Sequence, residues 1–178
     1  NHNVIIEDNG RGIPFNDMVR IYTSQHTSSN YNKKDGEFSS GKHGVGGKVT
    51  NALSDSFIVE SYILGEARRL EFIDGKPSPK GMYAIPNNTN KQGSIIMFHP
   101  TYEIMGKITT TVQDVLDLIN LILPLTKIGA VIYFNAIRLD GSEVHQRLVN
   151  EDGIILDLIN KTVNPLIKPI IAAKTTGK

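Results

Sequence analysis

Strands in hairpin order, interrupted by three or four helical stretches, predict an α/β chain of the α+β kind. Three observations carry this. Alternating apolar and polar residues in DSFIVESYIL (55–64) are followed, after Gly65-Glu66, by a second such run in ARRLEFID (67–74). An apolar stripe at helical spacing, Val112, Val115, Leu116, Ile119, Ile122 and Leu123, stands well apart from them. No regular strand–helix–strand alternation occurs between Asp55 and His99, as a doubly wound sheet would require.

The first element is NVIIE (3–7), a β-branched run that reads as a strand. Asp8 stands at its end, and Gly10 and Gly12 follow with one residue between. Glycines there let the backbone turn tightly and approach a flat ligand. A carboxylate behind such a turn can accept a hydrogen bond from an exocyclic amine, as adenine has. Pro14 stops the turn and opens a helix, FNDMVRIY (15–22), with Phe15, Met18, Val19 and Tyr22 on one face. The next stretch, HTSSNYNKKDGEFSS (26–40), has loop composition; it is either a surface loop or a lid that orders over a ligand.

GKHGVGGKVTNALS (41–54) is a glycine-rich turn running into a helix, with Val45, Val49, Ala52 and Leu53 at helical spacing. The free N–H groups and partial positive charge of a helix start favour phosphate. Gly44, Gly46 and Gly47 clear space there, and Lys48 adds a full charge. Neither GxxxxGKS/T nor GxGxxG after a strand is present. Each glycine-rich end alone also describes an ordinary turn. The two in this order, with a polar loop between, are far more specific.

Arg68 and Arg69 lie on the second strand of the hairpin, as solvated charge or as site residues. Residues 74–90 read as connections around a short strand, 82–85. GSIIMFH (93–99) is a strand ended by Pro100. Its Ser94 is either a plain buried serine or a hydroxyl that bridges Asp8, a water and an adenine amine. The helix over 109–125 is expected to end or kink at Pro124. AVIYF (130–134) reads as a buried strand, with a turn near Asp140-Gly141 after it, and NEDGIILDLINKT (150–162) as a helix with an acidic start.

The 178 residues suffice for a domain with a real core. A net charge of +1 gives no global basic field and so no sign of direct DNA binding. Without cysteine there is neither a disulfide nor a thiolate metal site, which suits a reducing cytoplasm. The five histidines show no metal-binding spacing, and no Ser-His-Asp set can be argued. No apolar run is long enough for a membrane span, and no signal peptide is visible.

In DNGRGIP (8–14) and GKHGVGGKVTNALS (41–54) the chain resembles the ATPase domain of type IIA DNA topoisomerases, within the GHKL group of ATPases. HGVG with NALS is similar to gyrase B and its topoisomerase IV counterparts, while TSSNY (27–31) and GGK (46–48) look more like eukaryotic and viral type II enzymes. The resemblance implies a two-layer sandwich, with a mixed, mostly antiparallel sheet covered by helices on one face. It implies ATP as ligand, with Mg²⁺. The ATP-binding residues it implies are Asp8, Gly10, Arg11, Gly12, Ile13 and Pro14 at the first turn, and Gly41, Lys42, His43, Gly44, Val45, Gly46, Gly47 and Lys48 at the second. Ser28, Ser29 and Asn30 would meet ribose and phosphates, though gyrase has lysine where Asn30 stands. Arg69 aligns with an arginine at the edge of the adenine pocket, and Ser94 replaces the threonine of the family's G-T-x-V-x-F-x-P-D element.

The family's E-x-x-x-N helix, which supplies the general base and holds Mg²⁺, is not found, so no catalytic residue is named. The expectation is a GHKL ATPase domain over 1–148 without its N-terminal helix, with 149–178 beginning the passage toward a transducer domain. Such a segment alone is expected to be poorly active. The parent would be a cytoplasmic, ATP-dependent type II DNA topoisomerase, with a homodimeric gate, DNA and the DNA-cleaving domains as partners and no membrane. Another GHKL ATPase, such as a MutL-like repair protein, and a nucleotide-binding module without hydrolysis are the alternatives.

Overall fold

The two alternating runs pair as expected. In the computed structural model, which describes residues 3–24, 45–107, 109–151 and 153, β2 (Ser54–Ile63) and β3 (Glu66–Ile73) form an antiparallel hairpin with Ile63 opposite Glu66. Its turn residues are Leu64 and Gly65, one position earlier than the sequence suggested. Both have positive φ, 51° and 85°, as a tight hairpin turn of the right twist demands.

The chain divides into two units, Asn1–Ile108 and Thr109–Thr176. The first holds one sheet in the order β1-β6-β2-β3-β4, with a short β5 also on β3. Here β1 is Val4–Asp8, β4 Lys76–Pro77, β5 Tyr83–Ala84 and β6 Gly93–Pro100. Every pairing among the described residues is antiparallel.

One face of this sheet carries the core. Phe57, Val59, Leu70 and Phe72 pack with Met18 and Tyr22 from α1 (Met18–Thr23), which follows a 3-10 turn at Phe15–Asp17. The rings of Tyr22, Phe57 and Phe72 meet one another at centroid distances of 5.0, 5.9 and 6.0 Å, mostly edge to face. Val19 is exposed, contrary to the predicted face. The helix turns Met18 and Tyr22 inward, and Val19, one step of about 100° on from Met18, swings outward.

Burial, and then the charge of Asp8, push the Tyr22 phenol up to about 12. The unfolded chain releases that proton near pH 10, so this contribution to stability is full below pH 10 and fades as pH rises toward 12. The loss amounts to roughly 2–3 kcal/mol at most. Urea unfolding across that range is expected to show it, and Tyr22→Phe is expected to flatten it. An unchanged alkaline slope in the variant would rule Tyr22 out as the source.

The second helix is α2 (Gly46–Ala52). Val45 and Val49 are 45% and 52% exposed, and Ala52 is exposed too. The inward face is Gly47 and Asn51. A Cβ on Gly47 would stand 2.9 Å from the Tyr22 ring. Buried Asn51 donates from Nδ2 to the carbonyls of Tyr22 and Gly75, both at 3.1 Å. A helix laid on a tyrosine needs a residue without bulk at the contact and one able to satisfy buried carbonyls, which valines cannot do.

A short α3 (Tyr102–Met105) follows β6. In the second unit, α4 (Val112–Ile122) begins with a capping box between Thr111 and Asp114 and gives way to a 3-10 turn around Pro124. Then β7 (Val131–Ile137) and β8 (Glu143–Val149) form a hairpin about Asp140-Gly141. β7 is not wholly buried as expected: exposed and half-buried residues alternate along its pleat, with Tyr133 exposed. Of the helix predicted over 150–162, residue 152 and those from 154 on lie outside the described residues.

Candidate nucleotide site

Asp8, the last residue of β1, faces Ser94 across the β1/β6 ladder. The Ser94 hydroxyl donates to Asp8 Oδ2, and the Gly10 N–H donates to Asp8 Oδ1 at 2.8 Å. Both carboxylate oxygens are held, yet Asp8 is exposed, so lone pairs remain for an incoming donor. The glycines around it are required by space. At Gly93, with φ 126°, a Cβ would lie 1.9 Å from the Asp8 carbonyl oxygen. At Gly12, with φ 76°, it would lie 2.8 Å from the Tyr62 carbonyl oxygen. Arg11 and Pro14 are exposed along this turn.

Sequence reasoning missed Ser61. Its hydroxyl, fully buried, accepts from the N–H of Ile13 and donates to the carbonyl of Ile13, both at 2.8 Å. The one available signal was a hydroxyl interrupting the apolar face of β2 after Phe57 and Val59.

Ladder partners share a face, so the registers Asp8–Ser94, Ser94–Ser61 and Ser61–Arg68 define one row across four strands. Arg68 therefore lies on the Asp8 face, its guanidinium 5.4 Å from the Phe15 ring centroid. The pleat puts Arg69 on the other face. There it meets Glu60 at 2.9 Å and Glu71 at 3.1 Å. The Tyr83 hydroxyl foremost, and then the Arg69 charge, hold the Glu71 carboxyl below its ordinary range. Arg69 is thus not brought together with Asp8 in this structure.

Val45 stands at the N-cap of α2, with Gly46, Gly47 and Lys48 in its first turn, where backbone N–H groups have no intrahelical acceptor. Gly47 lies against the Tyr22 ring, and the Asp8 charge is the lesser cause, after burial, of the raised Tyr22 phenol. The Lys48 ammonium is buried and meets no acceptor among the described residues. A buried cation without a partner is costly, so this nitrogen fits an anionic group such as a phosphate. Ser28, Ser29, Asn30, Gly41, Lys42, His43 and Gly44 lie outside the described residues. No three acidic or histidine side chains converge as metal ligands among those described, and no described helix is long and apolar enough to cross a membrane.

No protein-family model matches the chain. The chain is similar to the DNA gyrase B protein of Mycoplasmoides gallisepticum, 32% identical over 188 residues, covering 100% of this chain and 29% of that protein. It is 33% identical over 118 residues to the DNA topoisomerase IV B protein of Bartonella bacilliformis, covering 61% of this chain and 17% of that protein. It thus spans under a third of the length of these curated relatives. Its fold is similar to the crystal structure of the 43K ATPase domain of Thermus thermophilus gyrase B in complex with an aminocoumarin. The TM-score is 0.67 at 23% identity, covering 93% of this chain and 43% of that one. This likeness bears out the expected mixed α/β sandwich, with a mostly antiparallel sheet and helices on one face. The chain is a GHKL-type ATPase domain, homologous to those of DNA gyrase B and topoisomerase IV B.

Proposed function

We propose that this chain is the ATP-binding and ATP-hydrolysing module of a type II DNA topoisomerase, and that nucleotide binding closes a homodimeric gate for DNA strand passage. The observation that carries the nucleotide part is the Asp8 carboxylate, exposed yet oriented by Ser94 and Gly10. Adenine donates its exocyclic amine to Asp8, and Ser94 braces the carboxylate from behind. Gly10 and Gly12 let the backbone lie flat against the base, with Arg11, Ile13 and Pro14 completing that wall. Val45, Gly46, Gly47 and Lys48 take the phosphates through N–H groups and the Lys48 ammonium. Ser28, Ser29 and Asn30 serve ribose and phosphates, and Gly41, Lys42, His43 and Gly44 belong to the phosphate-binding turn.

Mg²⁺ neutralises phosphate charge when bound. The described residues offer it no ligand cluster, and no step is derived through it. No residue of the chain is assigned as general base. The ATPase domain extends over 1–148, and 149–178 begins the passage toward a transducer domain. DNA and the DNA-cleaving domains or subunit are its partners, and the compartment is the cytoplasm.

Calorimetric titration with a non-hydrolysable ATP analogue and Mg²⁺ tests the pocket. Saturable binding is expected, with adenine preferred over guanine; a folded chain that binds neither would overturn the reading. Lys48→Met is expected to weaken the triphosphate analogue about 10- to 100-fold, as loss of a charge-assisted bond implies. Adenosine binding is expected to stay unchanged. An equal loss for adenosine would remove Lys48 from the phosphate end.

A further inference from the structure

The turn that bears Asp8 is tied at both ends to one row of the sheet. At its start, Asp8 takes the Ser94 hydroxyl. At its far end, the N–H and carbonyl of Ile13 both bond to the Ser61 hydroxyl. Ser94 and Ser61 are direct ladder partners on β6 and β2, so the two anchors stand one strand spacing, about 4.8 Å, apart. Between them, Gly12 passes so close to β2 that a Cβ would touch Tyr62 backbone and the Ile63 side chain. Ser61 is fully buried and shares the core face of β2 with Phe57 and Val59. Its two bonds go to a segment 48 positions away in sequence.

We infer that Ser61 is a positioning residue for base recognition: its two-way hydrogen bond fixes the far end of the Asp8–Ile13 turn, and so sets how sharply the site prefers adenine to guanine. This rests on the nucleotide reading above. An adenine amine and a guanine carbonyl differ in sign at the atom that meets Asp8. A rigid carboxylate accepts the amine and repels the carbonyl, whereas a carboxylate on a loosened turn can shift away and tolerate either. Ser61→Ala leaves the Ile13 N–H and carbonyl unpaired, and the turn is free to leave the sheet. Small displacements of positioning groups carry large factors.

The test is titration of the wild-type chain and Ser61→Ala with non-hydrolysable ATP and GTP analogues, with amide hydrogen exchange at Ile13 read alongside. Phe72→Leu, a core change on β3 that removes no hydrogen bond to the turn, serves as the destabilised control. Ser61→Ala is expected to lose Ile13 protection, weaken the ATP analogue about tenfold and cut the adenine preference by a similar factor. Phe72→Leu is expected to lower the melting temperature with the preference intact. Should Ser61→Ala not fold, Ser61→Cys takes its place, filling the volume with a weak donor. If neither folds, the hydroxyl is a folding requirement and the inference falls. Undiminished preference in a folded Ser61 variant would overturn this inference alone. A wild-type chain that binds neither analogue would overturn the functional reading, and this inference with it.

Discussion

Asp8→Asn is expected to abolish adenine-nucleotide binding, with a loss of about 100-fold or more, while leaving the fold in place. The carboxylate has two acceptor oxygens, and each already receives one donor, the Ser94 hydroxyl and the Gly10 N–H. An added amine still finds a free lone pair. An amide has one acceptor oxygen. If that oxygen stays on Gly10, the NH₂ group turns to Ser94, whose hydroxyl can reverse and accept. The protein is then satisfied, but the ligand amine meets a donor. The variant loses a charge-assisted bond worth about 1.5–3 kcal/mol and gains an unpaired donor against the bound base. A second readout needs no ligand. The Asp8 charge is one of the two causes that raise the Tyr22 phenol, so its removal lowers that titration. Calorimetry and a spectroscopic titration of tyrosine above pH 10 check both. Wild-type affinity in a folded Asp8→Asn chain would take adenine off this residue.

Much of this site could be read from residue order, because its parts are local. Asp8, Gly10 and Gly12 lie within one turn, and their spacing alone says carboxylate beside exposed backbone. The hairpin was equally plain from its alternation, and only its turn was misplaced, since Leu64 gives no hint that it adopts positive φ. What the sequence hid depends on register. Arg68 and Arg69 are adjacent, and a pleat sends them to opposite faces; which faces Asp8 is decided by Ser61 standing opposite Arg68 two strands away from β1. Ser61 looked like one more strand residue because its partner, Ile13, is distant in sequence. In α2 burial is set by what the helix rests on, and the valines stay exposed. The Tyr22 ring leaves room only for Gly47, and the carbonyls of Tyr22 and Gly75 call for the amide of Asn51.

The largest stability effect is expected from Gly93→Ala. Gly93 begins β6 beside the end of β1, with φ at 126°, where a side chain is strained whatever the space. Space is absent as well. An added Cβ would sit 1.9 Å from the Asp8 carbonyl oxygen, 2.8 Å from its carbonyl carbon and 3.0 Å from Asn9 Cα. All three are backbone atoms, so no side chain can swing aside, and β1 must lift from β6 at Asp8. Lifting it breaks the ladder and separates Asp8 from Ser94, the pair on which adenine recognition depends. We expect destabilisation of roughly 4 kcal/mol or more, at the upper end of single-residue effects, together with loss of nucleotide binding. Gly46→Ala is the contrasting control. No atom lies within 4 Å of its added Cβ among the described residues, so the helix start gains up to about 1 kcal/mol from reduced backbone freedom. Urea unfolding of the two variants separates the mechanisms, because both replace glycine with alanine in the same unit. If both shift stability alike, the close approach of β1 to β6 does not govern Gly93, and the tight junction that holds Asp8 against Ser94 is not what this site is built on.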